Sequence, residues 1–214
     1  GEWTTDYFRF WRCKETLLEF DYHEIDEATG RHFQEIYEEE LENITMLDEM
    51  RMTLEFLKEK GVSMGIITNG PTEHQLKKVR KLGLYDYIEP GHVLVSQATG
   101  FQKPEKEIFN LAAEQFGMNP ATTLYVGDSY DNDVVGAKTS GWQAMWFNHR
   151  GRTLKPGTKP VYDVAIDSFE QLFGAVKILF DLPNSKFFFD ANDKENPVLK
   201  MGIENGLMMA AERL

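Results

Sequence analysis

Cysteine is almost absent: Cys13 is the only one in 214 residues. A lone thiol excludes any disulfide within the chain. Together with the lack of a recognisable signal peptide, it leads to the expectation of a reducing, cytoplasmic setting. Long apolar runs are missing too. None approaches the roughly 20 residues that a bilayer-spanning helix needs, so no membrane partner is expected. Positive charge is scarce, with 23 Lys and Arg against 35 Asp and Glu and a net charge of −12. That balance argues against a nucleic-acid polymer as partner. An acidic protein that handles an anionic substrate must gather positive charge locally, from a metal ion, lysines or helix N-termini. No internal repeat or low-complexity tract is present. What remains is ordinary: 42% hydrophobic and 27% charged residues make a soluble composition. The length suits one domain or a domain with an insertion, as a monomer or homodimer.

Residues 1–44 read as helical and aromatic, with Trp3, Tyr7, Phe8, Phe10 and Trp11 followed by Ile25, Phe33, Ile36, Tyr37 and Leu41. Gly30 is expected to break or bend the second helix. Residues 46–60 form a third amphipathic helix closed by Gly61. The texture then changes. Val62–Thr68 is a short apolar run ending in Asn69-Gly70-Pro71, and a helix follows with Pro71 at its start and Gly83 after its end. His92–Val95 is the next strand, and Pro104 opens a helix. Thr123–Val126 is a strand, Val134–Ser140 a helix, and Ala144–Phe147 and Val164–Ile166 are further strands. Ser168-Phe169-Glu170-Gln171 reads as a capping box. Short apolar strands alternating with helices predict an α/β fold with a doubly wound parallel sheet. The strandless block 1–44 belongs to a separate lobe.

Three strand ends carry polar groups. Gly127-Asp128-Ser129 closes an apolar strand, and Asp131 and Asp133 follow at once. Carboxylates so crowded repel one another unless a cation sits among them, and Mg²⁺ suits a few carboxylates plus a phosphate. A solvated acidic turn that caps a helix explains the same residues. Thr68, with the N–H groups of Asn69 and Gly70 at a helix start, suits an oxyanion; an ordinary capping threonine reads the same way. Lys103 lies at a helix start, where the macrodipole disfavours a cation. It needs an anion, unless it is simply a surface lysine.

The order Thr68-Asn69-Gly70, Lys103-Pro104, Gly127-Asp128-Ser129 and Asp133 followed by Gly136-Ala137 resembles the haloacid dehalogenase superfamily across about residues 46–180. The resemblance is to the helical-cap subgroup, with its small-metabolite phosphatases and 5′-nucleotidases. It implies a Rossmann-like core under a small all-helical cap, and a hydrolase. That family's nucleophile strand is expected near the N-terminus, where this chain has none. The stretch Lys186-Phe187-Phe188-Phe189-Asp190 offers an apolar run with an aspartate at its tip, then Asn192, Lys194 and an expected helix over 198–214. The expectation is therefore a circular permutation. The cap then comprises 1–44 plus 198–214, and the core 45–197, with its first strand supplied by 186–190.

By this resemblance Asp190 is the nucleophile, and Thr68, Asn69, Gly70 and Lys103 hold the phosphate. Mg²⁺ sits among Asp190, Asn192, Asp128 and Asp133. The implied reaction is phosphomonoester hydrolysis through an aspartyl-phosphate on a small phosphorylated metabolite, nucleotides included. Asn192 replaces the family's acid–base aspartate and Lys194 its threonine, so weakened turnover is expected; a non-catalytic, ion-binding protein is the alternative. A dehalogenase is the other, because a halide leaves without a proton. Trp3, Tyr7, Phe8, Trp11, Tyr22 and His23 are candidate substrate contacts, though core packing accounts for most of them. The histidines, His149 included, show no metal spacing.

Overall fold

The computed structural model describes residues 5–18, 20–23, 25–181 and 208–209. The chain forms two compact units, Gly1–Thr45 and Met46–Leu214.

In the first unit, α1 (Thr5–Leu18) packs on α2 (Glu27–Glu42). Asp26 caps α2, its carboxylate accepting from Thr29 N–H at 2.8 Å; the Thr29 side chain and then this amide hold the carboxyl below its ordinary value. Gly30 does not break this helix. It is buried within a continuous α2, and a Cβ there would overlap the ring of Phe10. The glycine is therefore a notch for an aromatic ring, and the helix tolerates it because packing outweighs its poor propensity. Tyr7, Trp11 and Tyr22 are exposed. Trp3 and the side chain of Phe8 lie outside the described residues.

In the second unit, α3 (Asp48–Glu59) precedes β1 (Ile66–Thr68) and α4 (Thr72–Lys81). Then come β2 (Val93–Val95), the single turn α5 (Ser96–Thr99), α6 (Lys106–Gln115) and β3 (Leu124–Gly127). A π-helical turn (Tyr130–Val135) runs into α7 (Gly136–Thr139), followed by β4 (Gln143–Phe147), β5 (Val164–Ile166) and α8 (Phe169–Asp181). β1 and β2 pair in parallel, Ile67 opposite Leu94. β3, β4 and β5 pair in parallel, with Gly127 opposite Trp146 and Trp146 opposite Ala165.

Strand alternation sends β4 to two faces. Ala144 and Trp146 join Ile67, Leu94, Ile108, Phe109, Ala112, Val134 and Ala137, beneath α6 and α7. Met145 and Phe147 join Leu172, Ala175, Val176 and Leu179 of α8, with Met50, Phe56 and Leu57 of α3. Helices thus cover both faces, which is why β4 is buried at all five positions. Ile67 and Leu94 lie in the same cluster as Trp146 and Ala165, so one apolar layer joins β1–β2 to β3–β5. The core is the doubly wound α/β architecture.

Two boundaries differ from expectation. The helix after the acidic turn starts as a wide π turn, in which both Asp133 N–H and Val134 N–H donate to Ser129 O, at 2.8 and 3.4 Å. At 208–209, within the expected C-terminal helix, Met208–Met209 form β6, antiparallel to β5. Backbone pairing with β5 makes this stretch a strand. Residues 186–190, proposed as the first strand, lie outside the described residues. Among the described residues no helix is long and apolar enough to cross a membrane.

Candidate active site

The C-terminal ends of β1 and β3 place Thr68 and Asp128 at the edge of the sheet where doubly wound folds bind ligands. Lys103 reaches the same region from the loop before α6, through a cis Lys103–Pro104 bond. Two amide groups fix that loop. Asn69 Nδ2 donates to Lys103 O and Lys103 N–H donates to Asn69 Oδ1, each at 2.9 Å. The asparagine of Thr68-Asn69-Gly70 is therefore a backbone clamp on the lysine loop.

Lys103 Nζ then meets Asp133 Oδ1 at 2.5 Å and the Tyr125 hydroxyl at 3.0 Å. Both charged side chains are nearly sealed from solvent, at 12% and 5% exposure. The anion that Lys103 needs is supplied by the chain itself. The other Asp133 oxygen accepts from Ser129 N–H at 2.9 Å. Asp133, expected among the metal ligands, is in this arrangement the partner of a lysine and an amide, and the π turn carries it there.

Gly127 makes this possible. A Cβ at Gly127 would lie 2.5 Å from Cβ, Cγ and Oδ2 of Asp133, closer than any carbon contact allows. The glycine before Asp128 is thus the space into which the Asp133 carboxylate folds.

Tyr125 is the hub between β1 and β3. Its hydroxyl accepts from Lys103 and donates to Ile67 O at 3.1 Å, with Asp133 Oδ1 a longer second acceptor at 3.4 Å. Burial pushes its pKa well above 10.0, and the charges of Asp133 and then Asp128 push the same way. A folded state that holds this proton more tightly is at full stability below the ordinary tyrosine value. It loses that contribution as pH rises from 10.0 through the higher folded value. Tyr125→Phe is expected to cost about 1 kcal/mol at neutral pH and to flatten the decline above pH 10. Urea titrations from pH 7 to 11 on both proteins measure this; an identical alkaline slope would exclude Tyr125 as its source.

The predicted anion-binding amides are partly occupied. Gly70 N–H donates to Ser96 Oγ at 2.9 Å and Thr72 N–H to Gln97 Oε1 at 2.8 Å. Gly70 is thereby drawn into stapling two loops, because α5 brings Ser96 and Gln97 alongside the start of α4. Among the described residues nothing hydrogen-bonds the Thr68 hydroxyl.

Asp128 is the open carboxylate. Its backbone oxygen accepts from Trp146 Nε1 at 3.2 Å, which anchors the main chain and leaves the side chain 38% exposed. The described residues give its carboxylate oxygens no hydrogen bond, and only the longer contacts of His149 and Arg150 reach Oδ2, at 3.9 and 3.7 Å. Mg²⁺ typically takes one or two carboxylates with waters and substrate phosphates, so the donor chemistry of Asp128 fits such an ion. No three His, Cys, Asp or Glu among the described residues form a fuller cage. Asp190 and Asn192 lie outside the described residues.

A family model described as "Haloacid dehalogenase-like hydrolase" matches residues 11–147. The putative HAD-hydrolase YfnB of Bacillus subtilis is 30% identical over 179 residues, which is 83% of this chain and 73% of that protein. The chain belongs to the haloacid dehalogenase-like hydrolase family. A crystal structure of YfnB bound to magnesium superposes with a TM-score of 0.59 at 30% identity, covering 81% of this chain and 73% of that one.

Two shorter family matches bear on chemistry. A glyceraldehyde 3-phosphate phosphatase of Pyrococcus furiosus is 38% identical over 46% of this chain. The pyrimidine 5′-nucleotidase YjjG of Escherichia coli is 36% identical over 51% of it. The match spans 40% and 48% of those two proteins.

Sequence reasoning passed over the Asn69 clamp, the Tyr125 hub and the pair His149–Arg150 beside Asp128. Tyr125 was legible as a polar tip in an otherwise apolar strand. No signal in the sequence pointed to the other two, because each depends on contacts between distant loops.

Proposed function

We propose that this protein is a Mg²⁺-dependent phosphomonoester hydrolase acting on small phosphorylated metabolites, nucleotides among the candidates. The observation that carries this reading is the charge arrangement at the strand ends. A lysine locked by Asp133, Tyr125 and the Asn69 clamp accompanies the open carboxylate of Asp128. Two family relatives named as a phosphatase and a nucleotidase support it.

In this reading Thr68 and Lys103 bind the phosphoryl oxygens, and Asp133 keeps Lys103 extended toward them. Asp128, with Asp190 and Asn192, would hold Mg²⁺, which neutralises charge on the phosphoryl group when bound. Asp190 would attack phosphorus as the P–O bond to the ester oxygen breaks, the alcohol leaving with a proton from water, and the aspartyl-phosphate would then be cleaved by water to phosphate and free Asp190. Asn192 cannot move a proton, an omission worth about 10²–10⁴-fold in rate. In this reading the first unit would supply the 1–44 part of the expected small helical cap.

The test is phosphate release from a panel of monophosphates, with Mg²⁺ and with EDTA. Asp128→Asn is expected to lower turnover by about 10²-fold or more. Full activity in Asp190→Asn would remove Asp190 as nucleophile. No release even by Asn192→Asp/Lys194→Thr would sink the hydrolase reading.

A further inference from the structure

Asp128 has two basic neighbours, His149 and Arg150, from the turn after β4. After β4 the chain closes a tight turn. Asn148 Nδ2 donates to Arg152 O at 2.9 Å, and Arg152 N–H donates to Asn148 Oδ1 at 2.8 Å. Gly151 N–H donates to Asn148 O at 3.0 Å, and Asn148 N–H ties the turn to Ile166 O of β5 at 2.7 Å. The His149 ring sits 4.9 Å from that of Phe147 and 5.6 Å from that of Phe169. So mounted, His149 Nε2 and Arg150 Nε lie 3.9 and 3.7 Å from the same oxygen, Asp128 Oδ2. Both separations exceed a hydrogen bond, and the Arg150 side chain is 58% exposed. The contact is a loose charge pairing on a firm backbone.

We propose that Arg150 is a reserve cation: it neutralises Asp128 in the ion-free protein, and a divalent ion that takes the carboxylate releases it toward the anionic substrate. The proposal rests on Asp128 as an ion ligand, the assignment made above. A carboxylate oxygen that coordinates Mg²⁺ cannot keep a guanidinium against it without setting two positive charges side by side. Arg150 gives way cheaply, because its guanidinium makes no hydrogen bond to Asp128 and is solvated. The released group is planar, permanently charged and suited to phosphate or carboxylate oxygens. In a chain of net charge −12 it adds positive charge where an anion would enter. Competition of this kind is reciprocal. Removing the guanidinium must tighten ion binding and weaken anion binding once the ion is present.

The experiment is calorimetric titration of the full chain with Mg²⁺ in the absence of substrate, for wild type, Arg150→Gln, Arg150→Lys and Arg150→Glu. Arg150→Gln is expected to bind Mg²⁺ about two- to five-fold more tightly, the range of an exposed charge pair. Arg150→Glu should bind more tightly still, and Arg150→Lys should stay near wild type. A second titration with inorganic phosphate at saturating Mg²⁺ is expected to show weaker binding in Arg150→Gln and retention in Arg150→Lys. Unchanged or weaker Mg²⁺ affinity in Arg150→Gln overturns the proposal. So does unchanged phosphate affinity in that variant, or failure of every variant to bind Mg²⁺. Both arms measure binding, so absence of turnover, which would sink the hydrolase reading, leaves them unaffected.

Discussion

Lys103→Met is expected to lower the unfolding free energy by about 3–5 kcal/mol. Asp133 is 4% exposed. Without Lys103 it keeps the Ser129 amide but loses the ammonium that neutralises it, leaving a carboxylate in a site water barely reaches. The same change removes the donor to Tyr125. For a domain of this size the loss corresponds to a drop of about 6–20 °C in Tm. The double variant Lys103→Met/Asp133→Asn is expected to recover part of it, since no buried charge then goes unpaired. Chemical denaturation of the wild type, two single variants and the double variant closes the cycle. Additive losses would show that the ion pair contributes nothing as a pair. A methionine at 103 also removes the proposed phosphate ligand, so turnover should vanish in the double variant even where stability returns.

Gly127→Ala is the second large effect, expected at about 2–3 kcal/mol. The added methyl group would collide with Asp133 at three atoms, each at 2.5 Å. Neither side can yield cheaply. Gly127 is held in register opposite Trp146, and Asp133 is held by Lys103 and Ser129. Any relief therefore moves Asp133 off its partners, and the loop that carries Asp128 with it. Reduced stability in urea together with weakened Mg²⁺ binding is the expected pair of results. Wild-type stability would mean that the π turn repacks freely, and would count against the tight seating of Asp133. Alanine at Gly61, where a Cβ meets nothing within 4 Å, is the comparison; its cost comes from the left-handed backbone, φ 70°, alone.

Much of the architecture was legible from residue order. Alternation of short apolar runs with amphipathic helices follows from the periods of strand and helix, and it placed β1 through β5 with α4, α6 and α7 between them, though not the single turn α5. The motif order also named Thr68, Lys103, Asp128 and Asp133 as residues of interest, because strand ends in such folds are where ligands bind. Glycine was read less well. Gly30 looked like a breaker and is a packing notch; Gly127 was read only as the end of a strand motif and is the space for a carboxylate. A missing Cβ is visible in the sequence, but what occupies the vacancy is a neighbour across the fold. Hydrogen-bond partners were unreadable for the same reason. Gly70 N–H is shaped for an anion by its local turn, yet Ser96 reaches it first, from a loop 26 positions away.

The split between the two levels is physical. Composition and local pattern depend on neighbours within a few positions, so they determined an acidic, α/β, disulfide-free chain with carboxylates and a lysine at strand ends. Which charge meets which depends on side chains brought together from separate strand ends and loops. Tertiary packing decided that Lys103 belongs to Asp133, that Asn69 is a clamp and that Asp128 stands open beside Arg150. A sequence motif lists a site's chemical groups; their pairing is a property of the fold, since Coulomb and hydrogen-bond energies depend on distances of a few ångströms that residue spacing along the chain does not specify.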